Sequence, residues 1–188
     1  TFNALVQYNL EPEIFSFSIL FSFEKYLRSA AINFFPVHIK LDTGMHRLGF
    51  VQSDIAELAS HLRENNFVKV QSVFSHLAAS EDEQQDEFTK HQAINFLQCC
   101  EVLQQNLGYR FLRHIANTSA ISRHPEMQLD MVRLGIGLYG VDSNFSMKSI
   151  LKNVTTLSTT VAQIKNVKAG ETIGYGRNAK LDKESIIA

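Results

Sequence analysis

The chain has 188 residues, 45% of them hydrophobic and 20% charged, with a formal net charge of −1. That composition is ordinary for a globular protein with one core and part of another. So small a charge gives no electrostatic case for nucleic acid or an anionic membrane, and no apolar run approaches the roughly 20 residues of a bilayer span. The two cysteines, Cys99 and Cys100, are adjacent in a helical stretch and point apart. This argues against a structural disulfide and for a reduced, cytoplasmic setting. The sequence begins TFNALVQYNL, without an initiator methionine or a signal pattern, and stops within the strand-like KESIIA. The expectation is a piece of a longer polypeptide.

In chain order, Glu13 to Phe17 reads as a short strand, and FSILFSFEKYLRSA as an amphipathic helix to about Ala30. PVHIKLD is a strand. SDIAELASHLREN is a helix with Ser53 as its expected N-cap and Glu57 in its first turn. VKVQSVFSH is a strand, and EDEQQDEFTKHQAINFLQCCEVLQQNL a long helix whose acidic start complements the helix dipole. RFLRHIAN is a strand, ANTSAISRH a short helix or turn, and LDMVRLGIGLYG a strand running into a glycine-loosened turn. Strands alternating with such helices predict a parallel sheet, and successive right-handed crossovers favour a barrel over an open sheet. After Asp142 the texture changes. SNFSMKS resembles a linker, LKNVTTLSTTVAQIKNV alternates β-branched and polar residues, and AGETIGYGR is a glycine-punctuated turn. The expected organisation is an α/β domain over residues 1–145 and the start of an all-β domain over 146–188.

Polar residues fall in a pattern. In PVHIKLD, Val37, Ile39 and Leu41 share one face while His38, Lys40 and Asp42 share the other. If the apolar face packs on helices, the polar face points inward, where titratable groups are costly unless paired with each other or with a ligand. The following strands end in His76, Asn117 and Arg133. Barrel enzymes gather their chemistry at such strand ends. Each residue alone has a plainer reading: a structural histidine, a surface arginine, a packing glycine in GIGLYG. EDEQQDE has no histidine at ligand spacing and reads as a solvated helix start, so no metal site is expected.

KLDTGMHRLGF, HLAASEDE, HIANTSA, MVRLGIGLYG and AGETIGYGR, in this order, resemble alanine racemase, a fold-type III pyridoxal 5′-phosphate enzyme. The resemblance spans essentially the whole chain. It implies a partial (β/α)8 TIM-type barrel followed by the start of an all-β C-terminal domain. It further implies a cytoplasmic homodimer that interconverts L- and D-alanine for peptidoglycan synthesis by a two-base mechanism. By the same resemblance Arg133 faces the cofactor's pyridine nitrogen. Thr118, standing where the family usually shows serine, contacts the phosphate with Asn117 and the backbone N–H groups of Gly135 and Ile136. Tyr175 is the second catalytic base, serving the partner subunit's cofactor. His76 is the tyrosine's hydrogen-bond partner and is itself tied to Arg133. Arg47 steadies the substrate carboxylate and the phenolic oxygen. Lys40 matches a lysine that is carbamylated in many members, the alternative being an unmodified lysine paired with Asp42. His46 occupies a position often held by glycine and is given no role.

The family's first base, a lysine in a motif resembling VKANAYGHG, has no counterpart here. The chain alone is therefore expected to form no covalent link to the cofactor and to show little or no racemase activity, and a parent fused behind a cell-wall Mur ligase stays open. The rivals are another fold-type III amino-acid racemase or decarboxylase and a non-catalytic cofactor-binding barrel, besides a truncated product that only associates with an intact copy. Decarboxylases place an acid at the pyridine nitrogen, against Arg133, and the single-domain carriers lack a segment such as GETIGYGR.

Overall fold

The computed structural model describes residues 2–142, 147 and 149–188. The expected boundary at 145/146 falls outside the described residues. The chain separates into two compact units, Thr1–Asn153 and Val154–Ala188.

The first unit opens with a helix that the sequence pattern did not suggest, α1 (Phe2–Gln7), and continues through β1 (Glu13–Ile14), α2 (Phe17–Ser29), β2 (Phe35–Lys40), α3 (Ile55–Glu64), β3 (Val68–Phe74), α4 (Asp86–Leu107), β4 (Leu112–His114) and α5 (Thr118–Arg123). The four strands form one parallel sheet in the order β1-β2-β3-β4. Chain order and spatial order coincide, as successive βα units winding one way require.

Three helices, α2, α3 and α4, bury an apolar stripe in the shared core. α2 starts at Ser16, whose hydroxyl oxygen accepts the Ile19 N–H at 3.4 Å, and buries Leu20, Phe23, Glu24 and Leu27 at helical spacing. α3 does the same with Ile55, Leu58, Ala59 and Leu62. Its cap differs from expectation: a 3₁₀ turn over Gln52–Asp54 precedes the helix, and Asp54, not Ser53, accepts the Val51 N–H. Glu24 is buried yet accepts from Asn65 Nδ2 and pairs with His61 at 2.9 Å, which joins α2 to α3 without stranding a carboxylate. Along α4, Phe96, Cys99, Cys100 and Leu103 enter the same core, and both cysteines are free thiols. Burial raises the pKa of each thiol.

β2 alternates as its sequence demands, with Val37 and Ile39 fully buried under the helices and His38 and Lys40 on the opposite face. Register carries that face across the sheet. His38 stands opposite Glu13 and Ser72; Lys40 stands opposite Phe74, and Phe74 opposite His114. A register shift between Val37 and His38 is what aligns His38 with Ser72.

The stretch expected as a strand at LDMVRLGIGLYG is irregular, followed by a 3₁₀ turn over Ile136–Tyr139. It runs beside β4 through just two backbone bonds, from Asp130 N–H to the Arg113 carbonyl and from Arg133 N–H to the Ala116 carbonyl. Two isolated backbone bonds do not build a ladder, and side chains such as Asp130, which accepts from Arg113, add the rest of the hold.

The second unit holds two two-stranded antiparallel sheets: β5 (Lys165–Val167) with β8 (Ser185–Ile187), and β6 (Thr172–Ile173) with β7 (Ala179–Lys180). The alternating run 151–167 is strand only in its last three residues. Alternation marks a strand-ready segment, but a strand exists only where its N–H and C=O groups find a partner.

Candidate active site

The loop after β2 is built by its own polar groups. Asp42 accepts the N–H of Gly44 at 3.0 Å and that of His46 at 2.9 Å. Burial would raise this carboxyl, but those N–H groups and the His46 ring outweigh it and hold its pKa below the usual value. His46 lies at φ 53°, in the left-handed region, which explains why glycine suits the position. Gly49 is required outright: at φ +135°, a Cβ would sit 2.5 Å from the Asp42 nitrogen. Ser75 pins the loop to the end of β3, its hydroxyl donating to the Leu41 carbonyl at 2.9 Å and sharing a 2.8 Å bond with Thr43. On this loop sits Arg47, exposed.

Asp42 is thus used up by its own turn. Lys40, largely buried, finds Glu13 instead, at 3.9 Å, and lies 5.3 Å over the Phe74 ring. The same ring carries Arg133 at 5.2 Å and stacks parallel on His114 at 5.0 Å.

Arg133 is held more firmly than any other site residue. One terminal nitrogen donates to His114 Nδ1 at 2.6 Å and to the His114 carbonyl at 3.1 Å. The other donates to the carbonyls of Ser75 at 2.5 Å and Ile115 at 3.4 Å. Four of five donors are occupied. The Nε–H alone has no partner among the described residues. Burial lowers this guanidinium's pKa and the Glu13 carboxylate works against the fall. It is His114, then, and not His76, that binds Arg133 directly. Burial, then Arg133, then His38 press the His114 pKa down to about 4, so the ring is neutral at pH 7.

His76 follows β3 and feels Arg133 through space. Burial lowers its pKa first, then Arg133, Arg47 and Lys40, while Glu81 opposes them. Three cations within electrostatic reach of one imidazole favour its neutral form.

α5 begins at Thr118, with Asn117 as its N-cap: Asn117 Oδ1 accepts from Ala120 N–H at 3.1 Å and from the Ser80 hydroxyl at 2.8 Å. Thr118 Oγ1 accepts the N–H groups of Gly135 and Gly137, each at 3.1 Å. With both acceptor positions filled, its own proton is left to point outward. The N–H of Ile136, between them, has no partner among the described residues. His76, Glu81, Asn117, Thr118, Arg133, Gly135 and Ile136 line one cavity of ≈ 340 Å³. A hydroxyl, a backbone N–H and a guanidinium converge there with a single carboxylate, a donor set that suits an anion attached to a ring carrying a hydrogen-bond acceptor.

A family model, alanine racemase N-terminal domain, matches residues 1–143. The chain belongs to the alanine racemase family. Among its relatives, alanine racemase of Clostridium tetani is 37% identical over 190 residues, which cover 97% of this chain and 48% of that protein. Alanine racemase of Carboxydothermus hydrogenoformans is 33% identical over 97% of this chain and 50% of its own length. Solved structures agree. Alanine racemase from Streptomyces lavendulae superposes with a TM-score of 0.80 at 26% identity, covering 93% of this chain and 47% of that one. The enzyme from Bartonella henselae, with covalently bound pyridoxal phosphate, gives 0.77 at 26% identity over 98% and 49%. The chain spans about half the length of the relatives it matches.

Of the residues expected from sequence, six share the cavity: His76, Asn117, Thr118, Arg133, Gly135 and Ile136. Lys40 and Arg47 act on it through charge. Tyr175 belongs to the second unit, in a 3₁₀ turn, and is fully exposed. Sequence reading passed over His114, Ser72 and Phe74. The signal was available: His114 ends a strand-like run as His76 does, and Ser72 stands where the alternation of VKVQSVF calls for an apolar residue. Among the described residues there is no group of metal-ligating side chains and no helix long and apolar enough to cross a membrane.

Proposed function

We propose that this chain supplies the cofactor-facing part of an alanine racemase, acting on L- and D-alanine with pyridoxal 5′-phosphate. The observation that supports it most is Arg133, whose terminal nitrogens are fully engaged while its Nε–H has no partner among the described residues, lining one cavity with Thr118 and Ile136. When bound, the cofactor supplies the electron sink that acidifies the Cα–H of an amino acid.

Thr118 donates its hydroxyl proton, and Ile136 its N–H, to the phosphate. Asn117, whose side-chain oxygen is committed to the α5 cap, adds its amide N–H. The Gly135 N–H positions Thr118, to which it donates. Arg133 donates its Nε–H to the ring nitrogen. A guanidinium has no proton to spare at pH 7, so that nitrogen stays unprotonated, a weaker sink that favours reprotonation at the same carbon. Arg47 binds the substrate carboxylate. His76, kept neutral by burial and three cations, can accept a proton from a phenol. Tyr175 is that phenol, offered to the partner subunit's cavity in a cytoplasmic homodimer; its exposure in the single chain agrees with such a role. The racemase serves cell-wall precursor synthesis. The domains of the longer protein divide near residue 145, the barrel before it and a β domain after.

Titration calorimetry with pyridoxine 5′-phosphate, which keeps the ring and phosphate but has no aldehyde, tests the reading on this chain. Saturable binding is expected, competed by inorganic phosphate and weakened about tenfold by Thr118→Val, the worth of one charge-assisted hydrogen bond. Absence of saturable binding, or binding indifferent to Thr118→Val and Arg133→Leu alike, refutes it.

A further inference from the structure

Arg133 is a largely buried cation, yet none of its contacts is an acid: it meets two backbone carbonyls beside β3 and β4, the His114 carbonyl, a neutral imidazole and the Phe74 ring. The carboxylate nearest in electrostatic effect, Glu13, pairs with Lys40. An unneutralised buried charge is expensive unless neighbouring dipoles are turned toward it.

Following the hydrogen bonds outward from His114 shows where they turn. His114 Nε2 lies 2.9 Å from Ser72 Oγ, and Ser72 Oγ lies 2.6 Å from His38 Nδ1. His38 Nε2 lies 2.9 Å from Glu11 Oε2, at the protein surface. Proton accounting fixes the first two links and gives the rest a consistent direction. Arginine can only donate, so His114 Nδ1 accepts and the neutral ring carries its proton on Nε2. That N–H donates to Ser72, leaving the serine O–H for His38 Nδ1. His38 then carries its proton on Nε2 and donates to Glu11. All four donors point the same way, from a buried cation to a surface anion, and such strings polarise cooperatively.

We infer that Glu11, His38 and Ser72 are positioning residues for Arg133: through His114 they form a one-way string of hydrogen-bond donors that links the guanidinium to a remote counter-charge and leaves its Nε–H as the donor facing the cavity. The inference deepens the reading in which that Nε–H meets a cofactor nitrogen, and rests on it for its functional meaning. No step of the string moves a proton. Its effect is to hold one tautomer and one guanidinium orientation.

The test is solution NMR of the full ¹⁵N-labelled chain without cofactor. Imidazole correlations of the unaltered protein should show His114 with its proton on Nε2 and His38 accepting at Nδ1. Hydrogen exchange at Arg133 Nε–H then reads the hold on the guanidinium. His38→Leu, which ends the string at Ser72, should speed exchange about tenfold, the worth of one buried hydrogen bond. His38→Gln should stay within about twofold, because its amide oxygen can accept from Ser72 while its NH₂ donates to Glu11. Glu11→Gln keeps an acceptor and removes the charge, and should fall between, at about threefold. A proton on Nδ1 of either ring in the unaltered chain, or equal effects of Leu and Gln at position 38, overturns the inference. None of these signals needs a ligand. Failure of pyridoxine 5′-phosphate to bind would overturn the cofactor reading and leave the string standing, and the reverse holds equally.

Discussion

The two units treat their polar side chains in opposite ways. In the first, His38, Ser72, His114 and Arg133 are enclosed and each contacts the next, so their geometry is set by this chain's own packing. In the second, Tyr175 is fully exposed and stands between strands of two residues each. The contrast separates two kinds of functional residue. One is pre-organised where it is made; the other is presented and acquires its surroundings from whatever meets it. The site proposed above, in which a partner subunit's phenol completes the cavity, would use both kinds.

Several measurements would break or sharpen that contrast, and the largest effect belongs to the enclosed unit. Phe96→Ala removes a fully buried ring from α4 and should cost about 3–5 kcal/mol in denaturant unfolding of that unit. A loss below about 1 kcal/mol would mean the enclosed core is not cooperative.

Acid should act next. His114 is buried and neutral, with a folded pKa of about 4 against an unfolded value of 6.5. Between those values the unfolded chain binds the extra proton. Stability is therefore complete above pH 6.5 and falls as pH drops toward about 4, by up to about 3 kcal/mol. Unfolding midpoints measured from pH 7 to 4 should show the slope, and His114→Gln should flatten it. An unchanged slope in that variant would assign the acid sensitivity elsewhere.

Gly49→Ala forces a Cβ against the Asp42 backbone at φ +135° and should cost about 1–3 kcal/mol while disturbing the loop that carries Arg47. Smallest of all, Tyr175→Phe should leave the unfolding midpoint of this chain unmoved, since the phenol makes no hydrogen bond among the described residues. In a full-length racemase of the kind proposed above, racemisation of alanine should collapse with the same substitution. A stability change from Tyr175→Phe would erase the distinction between the two units.

Much of this was legible before any coordinates. The alternation in PVHIKLD placed Lys40 and His38 on one face because a strand's side-chain period is invariant. The α/β order was legible for the same reason, since helix and strand periods differ. The motifs that carry the family resemblance brought His76, Asn117, Thr118 and Arg133 into view together, and they share a cavity. Two kinds of feature escaped. LDMVRLGIGLYG looks like a strand, yet lies along β4 on two backbone bonds, because strand character depends on a partner that lies elsewhere in the chain. The partner of Arg133 was also misjudged: His76 and His114 both end strands, and one-dimensional spacing does not distinguish them.

Local periodicity and motif spacing, being properties of consecutive residues, determined the layered α/β architecture, the family, and which side chains face inward. The tertiary structure alone decided that Arg133 is clasped by His114, that Lys40 meets Glu13 and not Asp42, and that a hydrogen-bond string reaches from the cavity to Glu11. Those partners come from different strands, and only the parallel register, with its shift at His38, brings them within bonding distance.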